Sequence, residues 1–251
     1  MVTKPERRNT FPAIALASSY LAYERKCPTD EIVVVMPCDP YTEAGYFGTI
    51  RRMADAVEND AAELVLMGIE PTYPSAKYGY VVPVNDVHNK GIFPVLRFTE
   101  KPDAVTAEKL ISEGAFWNGG VFAFRLGYIT EIVARYIKAD IFAEIRSHYG
   151  DFPKISFDYE VAEKAQSIAV VPFSGEWKDL GTWNTLTDEL SEYVIGNVIM
   201  DEESENTHVI NELGLPIMCI GVRNLVIAAS NDGILILDKS KSENIKTYVR
   251  R

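Results

Sequence analysis

Apolar residues recur at helical spacing from Ile14 to Leu21, behind Thr10 as a candidate N-cap and Pro12 near a first turn. The pattern predicts a helix over about Pro12 to Glu24. Glu31-Ile32-Val33-Val34-Val35-Met36 is a continuous β-branched run stopped by Pro37, the pattern of a strand buried on both faces and hence central in a parallel sheet. Thr42 can cap an amphipathic helix reaching about Asn59, and Ala62 to Gly68 reads as the next strand. Strand, helix, strand at this spacing is a βαβ unit, so the expected sheet is mainly parallel with a right-handed crossover.

After Glu70-Pro71-Thr72-Tyr73-Pro74 the pattern changes: Tyr78 to Val84 and Ile92 to Thr99 read as strands joined by the polar turn Asn85 to Gly91, a hairpin. Asp103 to Glu113 predicts a short helix, Val121 to Phe124 a strand, Tyr128 to Tyr149 mostly helix, Ser167 to Pro172 a buried strand and Thr182 to Glu192 a helix. From Gly196 onward short β-rich segments (Val198 to Met200, Thr207 to Ile210, Pro216 to Gly221, Leu225 to Ala229, Gly233 to Leu237) alternate with Asn, Asp and Gly, and Ser242 to Arg251 closes as a short helix. The expected fold class is α/β, with a large domain over 1–192 and a small β-rich domain over 193–251.

At 251 residues and 47% hydrophobic content the chain can bury a sizeable core. Its 36 Asp and Glu outweigh 25 Lys and Arg for a net charge of −11, which argues against nucleic acid as a partner. No run approaches a membrane span and the first eight residues are too polar for a secretory leader, so a cytoplasmic location is expected. Cys27, Cys38 and Cys219 form no closely spaced pair, and His88, His148 and His208 are scattered. Neither a disulfide framework nor a zinc site is expected.

Asp39 lies just past a buried strand, where open α/β sheets place ligands. A carboxylate there either holds Mg²⁺ or caps a helix after Pro40. Asp179, between Trp177 and Trp183, has the same two readings, metal ligand or turn carboxylate. Glu100-Lys101-Pro102 ends a strand: a carboxylate can accept from vicinal hydroxyls and an ammonium can hold a phosphate, although a lone Lys is ordinarily a solvated charge. Asn118 before Gly119 and Gly120 is either a ligand-facing polar group or a turn, and Gly79 lies between Tyr78 and Tyr80 in what is otherwise a core strand. Arg8 can pair with phosphate and Asn9 and Thr10 offer donors, unless Thr10 only caps the first helix.

Five segments carry a resemblance: Lys4-Pro5-Glu6-Arg7-Arg8-Asn9-Thr10-Phe11-Pro12-Ala13, Met36-Pro37-Cys38-Asp39, Phe98-Thr99-Glu100-Lys101-Pro102, Trp117-Asn118-Gly119-Gly120 and Trp177-Lys178-Asp179-Leu180-Gly181-Thr182-Trp183. In that order they resemble the sugar-phosphate nucleotidyltransferases, most closely the mannose-1-phosphate guanylyltransferases, which make GDP-mannose from GTP and mannose 1-phosphate. The resemblance implies a Rossmann-like fold of the nucleotide-diphospho-sugar transferase type. It implies that Asp39 and Asp179 bind Mg²⁺, with Mn²⁺ as a substitute, and that Lys101 meets the sugar phosphate. By the same resemblance Glu100, Asn118 and the Gly79 backbone face the sugar, and Arg8, Asn9 and Thr10 serve the nucleotide.

Departures from the family pattern are Phe11 where Ala is commoner, and Cys38 and Pro40 where Ala and His are frequent. The family also opens with a strand and a glycine-rich loop that cradles the leaving pyrophosphate, and nothing like it precedes Lys4. The expectation is therefore an enzyme impaired as this chain alone, with exposed strand edges favouring a homo-oligomer. Two alternatives remain: a non-catalytic sugar-phosphate or metal-binding remnant, and a nucleotidyltransferase for another sugar or base.

Overall fold

A computed structural model describes residues 2–84 and 91–248. The expected turn at 85–91 falls outside them except for Gly91, as do His88 and the end of the expected closing helix. In chain order the first elements are α1 (Thr10–Ser19), β1 (Ile32–Val35), β2 (Pro40–Thr42), α2 (Gly45–Glu58), β3 (Leu64–Ile69), β4 (Tyr80–Pro83) and β5 (Phe93–Thr99). There follow α3 (Ala104–Ser112), β6 (Phe116–Arg125), α4 (Leu126–Ala134), α5 (Phe142–Ser147), α6 (Phe157–Glu160), β7 (Ile168–Phe173), β8 (Trp177–Asp179) and α7 (Trp183–Thr187). The remaining strands are β9 (Val194–Gly196), β10 (Val198–Met200), β11 (His208–Asn211), β12 (Ile217–Cys219), β13 (Leu225–Ser230) and β14 (Gly233–Asp238), before a 3₁₀ segment, Lys239–Thr247.

Two compact units result: Met1–Pro37 with Glu43–Gly175, and Cys38–Thr42 with Glu176–Arg251. This division falls before the boundary expected after residue 192, because β8 pairs with β2 (Pro40↔Asp179, Thr42↔Trp177) and draws the 38–42 segment into the second unit.

The first unit holds a six-stranded sheet in the order β1-β6-β3-β7-β5-β4, with β4 also pairing β6. The α/β class stands, but the mainly parallel pairing does not. Among the described residues of this sheet only β3 and β7 are bonded in parallel, whereas β6 runs antiparallel to β1, β3 and β4, and β5 antiparallel to β4 and β7. The ten-residue β6 explains the difference. It inserts between β1 and β3, which keep a common direction as the βαβ reading requires but are not paired with each other. Consequently Ile32–Val35 is an edge strand, half-buried throughout, and β3 is the fully buried central one. Leu64 and Leu66 of β3, Phe122 and Phe124 of β6, Phe11 of α1 and Phe157 of α6 anchor the core.

Helix starts differ in detail from the pattern. Asn9, not Thr10, caps α1, and α2 starts behind Ala44 without a side-chain cap. Thr42 instead lies in β2 and donates to the Glu176 carbonyl at 3.0 Å. The expected 128–149 helix is two helices, α4 and α5.

The second unit is β-rich as expected, with α7 as its short helix. Parallel ladders join β9 to β11, β11 to β13 and β10 to β12, and β14 closes antiparallel on β13. Its turns explain the Asn-rich text: Asn206 and Asn224 both adopt left-handed backbone, φ 47° and 57°, a conformation Asn tolerates better than most residues. Their side chains bond to one another at 2.9 Å.

Candidate functional site

Four residues singled out in the sequence come together in the first unit. Gly79 precedes β4, Glu100 and Lys101 follow β5, and Asn118 lies within β6. Strand pairing sets their spacing: Tyr80 is in register with both Thr99 and Trp117, so the residues beside each pair meet. The Asn118 amide donates to the Gly79 carbonyl at 2.8 Å. A side chain at Gly79 would overlap Glu100 Oε2 and sit 3.4 Å from Asn118 Cβ. Asn118 is thus a buried strand residue, not part of a turn, with 7% of its surface exposed.

Lys101 occupies the left-handed region, φ 46°, where a Cβ is crowded, and its Nζ donates to Glu100 Oε1 at 2.5 Å. The Glu100 side chain is 4% exposed and that of Lys101 53%, so burial acts unequally on the pair. Burial raises the Glu100 pKa; Lys101 opposes the rise, and the charges of Asp158 and Glu163 add to it. For Lys101 burial lowers the pKa, but the hydrogen bond and charge of Glu100, with Asp158 and Tyr159, outweigh it and the net direction is up. A buried carboxylate beside a solvent-reaching ammonium can receive hydroxyl donors on one side and a phosphate on the other.

Asp158 was not among the expected residues. It stands in α6 and accepts from Asn118 Nδ2 at 2.7 Å. The text did contain a local signal, Ser156 followed by acidic residues, which marks a helix start; Ser156 does cap α6. Nothing in the text connects that start with Asn118, 40 positions earlier.

Arg8, Asn9 and Thr10 brace the start of the unit. Arg8 Nε donates to Glu6 at 2.6 Å and Nη1 to the Phe152 carbonyl at 2.5 Å, and its side chain is 12% exposed. Asn9 Oδ1 accepts from the Thr10 amide and Thr10 Oγ1 from the Phe157 amide, at 2.8 and 2.9 Å. An open groove of about 560 Å³ elsewhere in this unit, lined by Thr29, Asp30, Tyr128 and Arg125 among others, includes none of the expected site residues. The Arg125 guanidinium there is spent on Asp60 and on the Asp30, Val57 and Glu58 carbonyls.

In the second unit, Asp39 directly precedes Pro40, the register partner of Asp179, and both aspartates are exposed. A helix after Pro40 does not account for Asp39, since Pro40 begins a strand. Lys178 braces this ladder, with Nζ at 3.0 Å from Glu176 and 2.7 Å from Glu189, 5.6 Å from the Tyr41 ring centre. Asp179 also acts as a turn carboxylate, Oδ1 accepting from the Gly181 amide at 2.8 Å, ahead of the Thr182 capping box of α7. Among the described residues no group of three or more His, Cys, Asp or Glu could enclose a metal ion. Two exposed carboxylates suit an ion that keeps water and phosphate ligands, as Mg²⁺ does.

Comparison with known proteins gives consistent matches. The family described as nucleotidyl transferase matches residues 1–194. The mannose-1-phosphate guanylyltransferase of Escherichia coli strain K12 is 31% identical over 280 aligned residues, covering 100% of this chain and 57% of the relative. Alginate biosynthesis protein AlgA of Pseudomonas aeruginosa is 29% identical, covering 100% and 56%. The chain thus spans a little over half the length of these relatives. A crystal structure described as mannose-1-phosphate geranyltransferase from Thermus thermophilus superposes with a TM-score of 0.77 at 28% identity, covering 98% of this chain and 76% of that one.

Proposed function

Since the chain belongs to the nucleotidyl transferase family, we propose that it serves guanylyl transfer from GTP to mannose 1-phosphate, forming GDP-mannose and pyrophosphate. The observation that carries this reading is the meeting of Gly79, Glu100, Lys101 and Asn118, which are far apart in sequence. In the reaction a mannose 1-phosphate oxygen attacks the α-phosphorus of GTP. One P–O bond forms, the bond to the β-phosphate bridge breaks, and the electron pair leaves with pyrophosphate. A phosphate monoester is already anionic near neutral pH, so the protein's work is placement and charge compensation. Glu100 accepts from ring hydroxyls, Lys101 holds the sugar phosphate, and the bare Gly79 backbone, which leaves room for the Glu100 carboxylate, faces the ring beside Asn118.

Asp39 and Asp179 are assigned to Mg²⁺, or Mn²⁺ in its place. When bound, the ion supplies positive charge to the nucleotide phosphates. Arg8, Asn9 and Thr10 are assigned to the nucleotide, and recruiting Arg8 there costs its bonds to Glu6 and the Phe152 carbonyl.

The test is a pyrophosphate-release assay with GTP, mannose 1-phosphate and Mg²⁺, run beside UTP and glucose 1-phosphate, together with calorimetry. Turnover preferring GTP and mannose 1-phosphate and lost in Asp179→Ala supports the reading. Binding of mannose 1-phosphate without turnover identifies a non-catalytic sugar-phosphate binder, and neither binding nor turnover removes the assignment.

A further inference from the structure

Resting on the reading of Glu100, Lys101 and Asn118 as a sugar-phosphate site, we propose that Asp158 is a positioning residue for it. Asp158 holds the Asn118 carboxamide in one orientation and supplies negative charge to the Glu100–Lys101 pair, so that the site takes the hydroxyl-bearing ring of a sugar phosphate.

The orientation follows from donor and acceptor chemistry. Asn118 Nδ2 donates to Asp158 Oδ1 at 2.7 Å, and Asn118 Oδ1 accepts from the Gly120 amide at 3.2 Å. Exchanging the two ends of the carboxamide would set an oxygen against a carboxylate and an NH₂ against an N–H. With Asn118 only 7% exposed, water cannot make good both losses. One N–H and one oxygen lone pair of known direction remain for a ligand.

Asp158 is itself held by the backbone around it. Its neighbour Phe157 is fully buried and donates its amide to Thr10 Oγ1 at 2.9 Å, and the Phe11 amide reaches the Ile155 carbonyl at 3.3 Å. Ser156 Oγ accepts from the Tyr159 amide at 3.3 Å. The segment carrying the carboxylate is therefore tied to the start of α1.

Its charge reaches two titrating groups. Glu100 faces Lys101, Asp158 and Glu163, and Lys101 faces Glu100, Asp158 and Tyr159. Asp158 makes ionisation of Glu100 harder and loss of the Lys101 proton harder, so both limbs of a pH profile that depends on this pair stand at higher pH than they would without it.

The experiment compares Asp158→Asn and Asp158→Ala with the wild-type chain. Asn at 158 keeps an acceptor for Asn118 and removes the charge; Ala removes both. Without ligand, NMR follows the Asn118 carboxamide signals and the carboxyl titration of Glu100. With mannose 1-phosphate as the probe, calorimetry follows affinity against pH. Asp158→Ala is expected to move the Asn118 signals and to weaken binding at least about tenfold. Asp158→Asn is expected to retain most of the affinity at neutral pH while both limbs of its pH profile, and the Glu100 midpoint, move to lower pH. Unmoved Asn118 signals in Asp158→Ala, or an unmoved Glu100 midpoint in a folded Asp158→Asn, overturn the proposal. Failure of the wild type to bind mannose 1-phosphate sinks the sugar-phosphate reading instead, and the ligand-free spectra still decide what Asp158 does to Asn118 and Glu100.

Discussion

A methyl group at position 79 has Glu100 Oε2 in its way, and Phe98 Cζ lies 3.1 Å from where it would stand. Gly79→Ala should cost about 1–3 kcal/mol of stability through overpacking, seen in thermal unfolding, and should also abolish mannose 1-phosphate binding. Lys101→Ala should leave the fold intact and weaken that binding by about 1.5–3 kcal/mol, the scale of a charged hydrogen bond; equal calorimetric affinity would contradict its assignment. Glu100 makes a sharper test because its folded pKa is raised. Its protonated form is favoured by folding, so the stability it contributes is full below its ordinary pKa and lost as pH rises through the folded value. Glu100→Gln should therefore unfold at a higher temperature than wild type at neutral pH, with the gap closing on acidification, while sugar-phosphate affinity falls. Each of these residues was legible in the text because its chemistry and motif context are local. Asp158 was not, because its partner is 40 positions away and only the approach of α6 to β6 joins them.

At the scale of elements, Thr10 shows how a local rule can name the right residue for the wrong bond. The text offered it as the cap of α1, but its hydroxyl accepts from the first amide of α6, that of Phe157. Thr10→Val keeps the shape and removes the acceptor, leaving the amide of fully buried Phe157 unpaired. A loss of about 1–3 kcal/mol is expected in denaturant unfolding, with weaker sugar-phosphate binding because Asp158 adjoins that amide. Strand β1 shows the converse limit. Its β-branched run correctly marked a strand, yet it cannot say which strand pairs with it. The antiparallel insertion of β6 decided that Ile32–Val35 would be an edge and β3 the centre.

For the whole molecule, the units differ in how much apolar surface they bury. Among the described residues the first is built on a broad cluster that includes aromatic residues of β6, α1 and α6, whereas a cluster in the second has Val209, Cys219 and Ile227 as its buried members. Local opening costs least where few buried apolar contacts must be broken. Amide hydrogen exchange should accordingly be slowest in β3 and much faster across β10, β12 and β14; equal protection would show that the second unit draws stability from something other than its core.

Sequence alone determined the α/β class, the β-rich C-terminal region and most strands, and it singled out Gly79, Glu100, Lys101 and Asn118, which the fold brings together. These follow from hydrophobic period, turn chemistry and motifs, all read over a few neighbouring positions. Tertiary structure decided the strand order, the mostly antiparallel pairing, the joining of the 38–42 segment to β8 and the placing of Asp158 against Asn118. Each of those depends on which distant surfaces bury one another. Strands of one period and composition can pair in several orders, and the choice is made by the packing of the whole chain, which no short window contains.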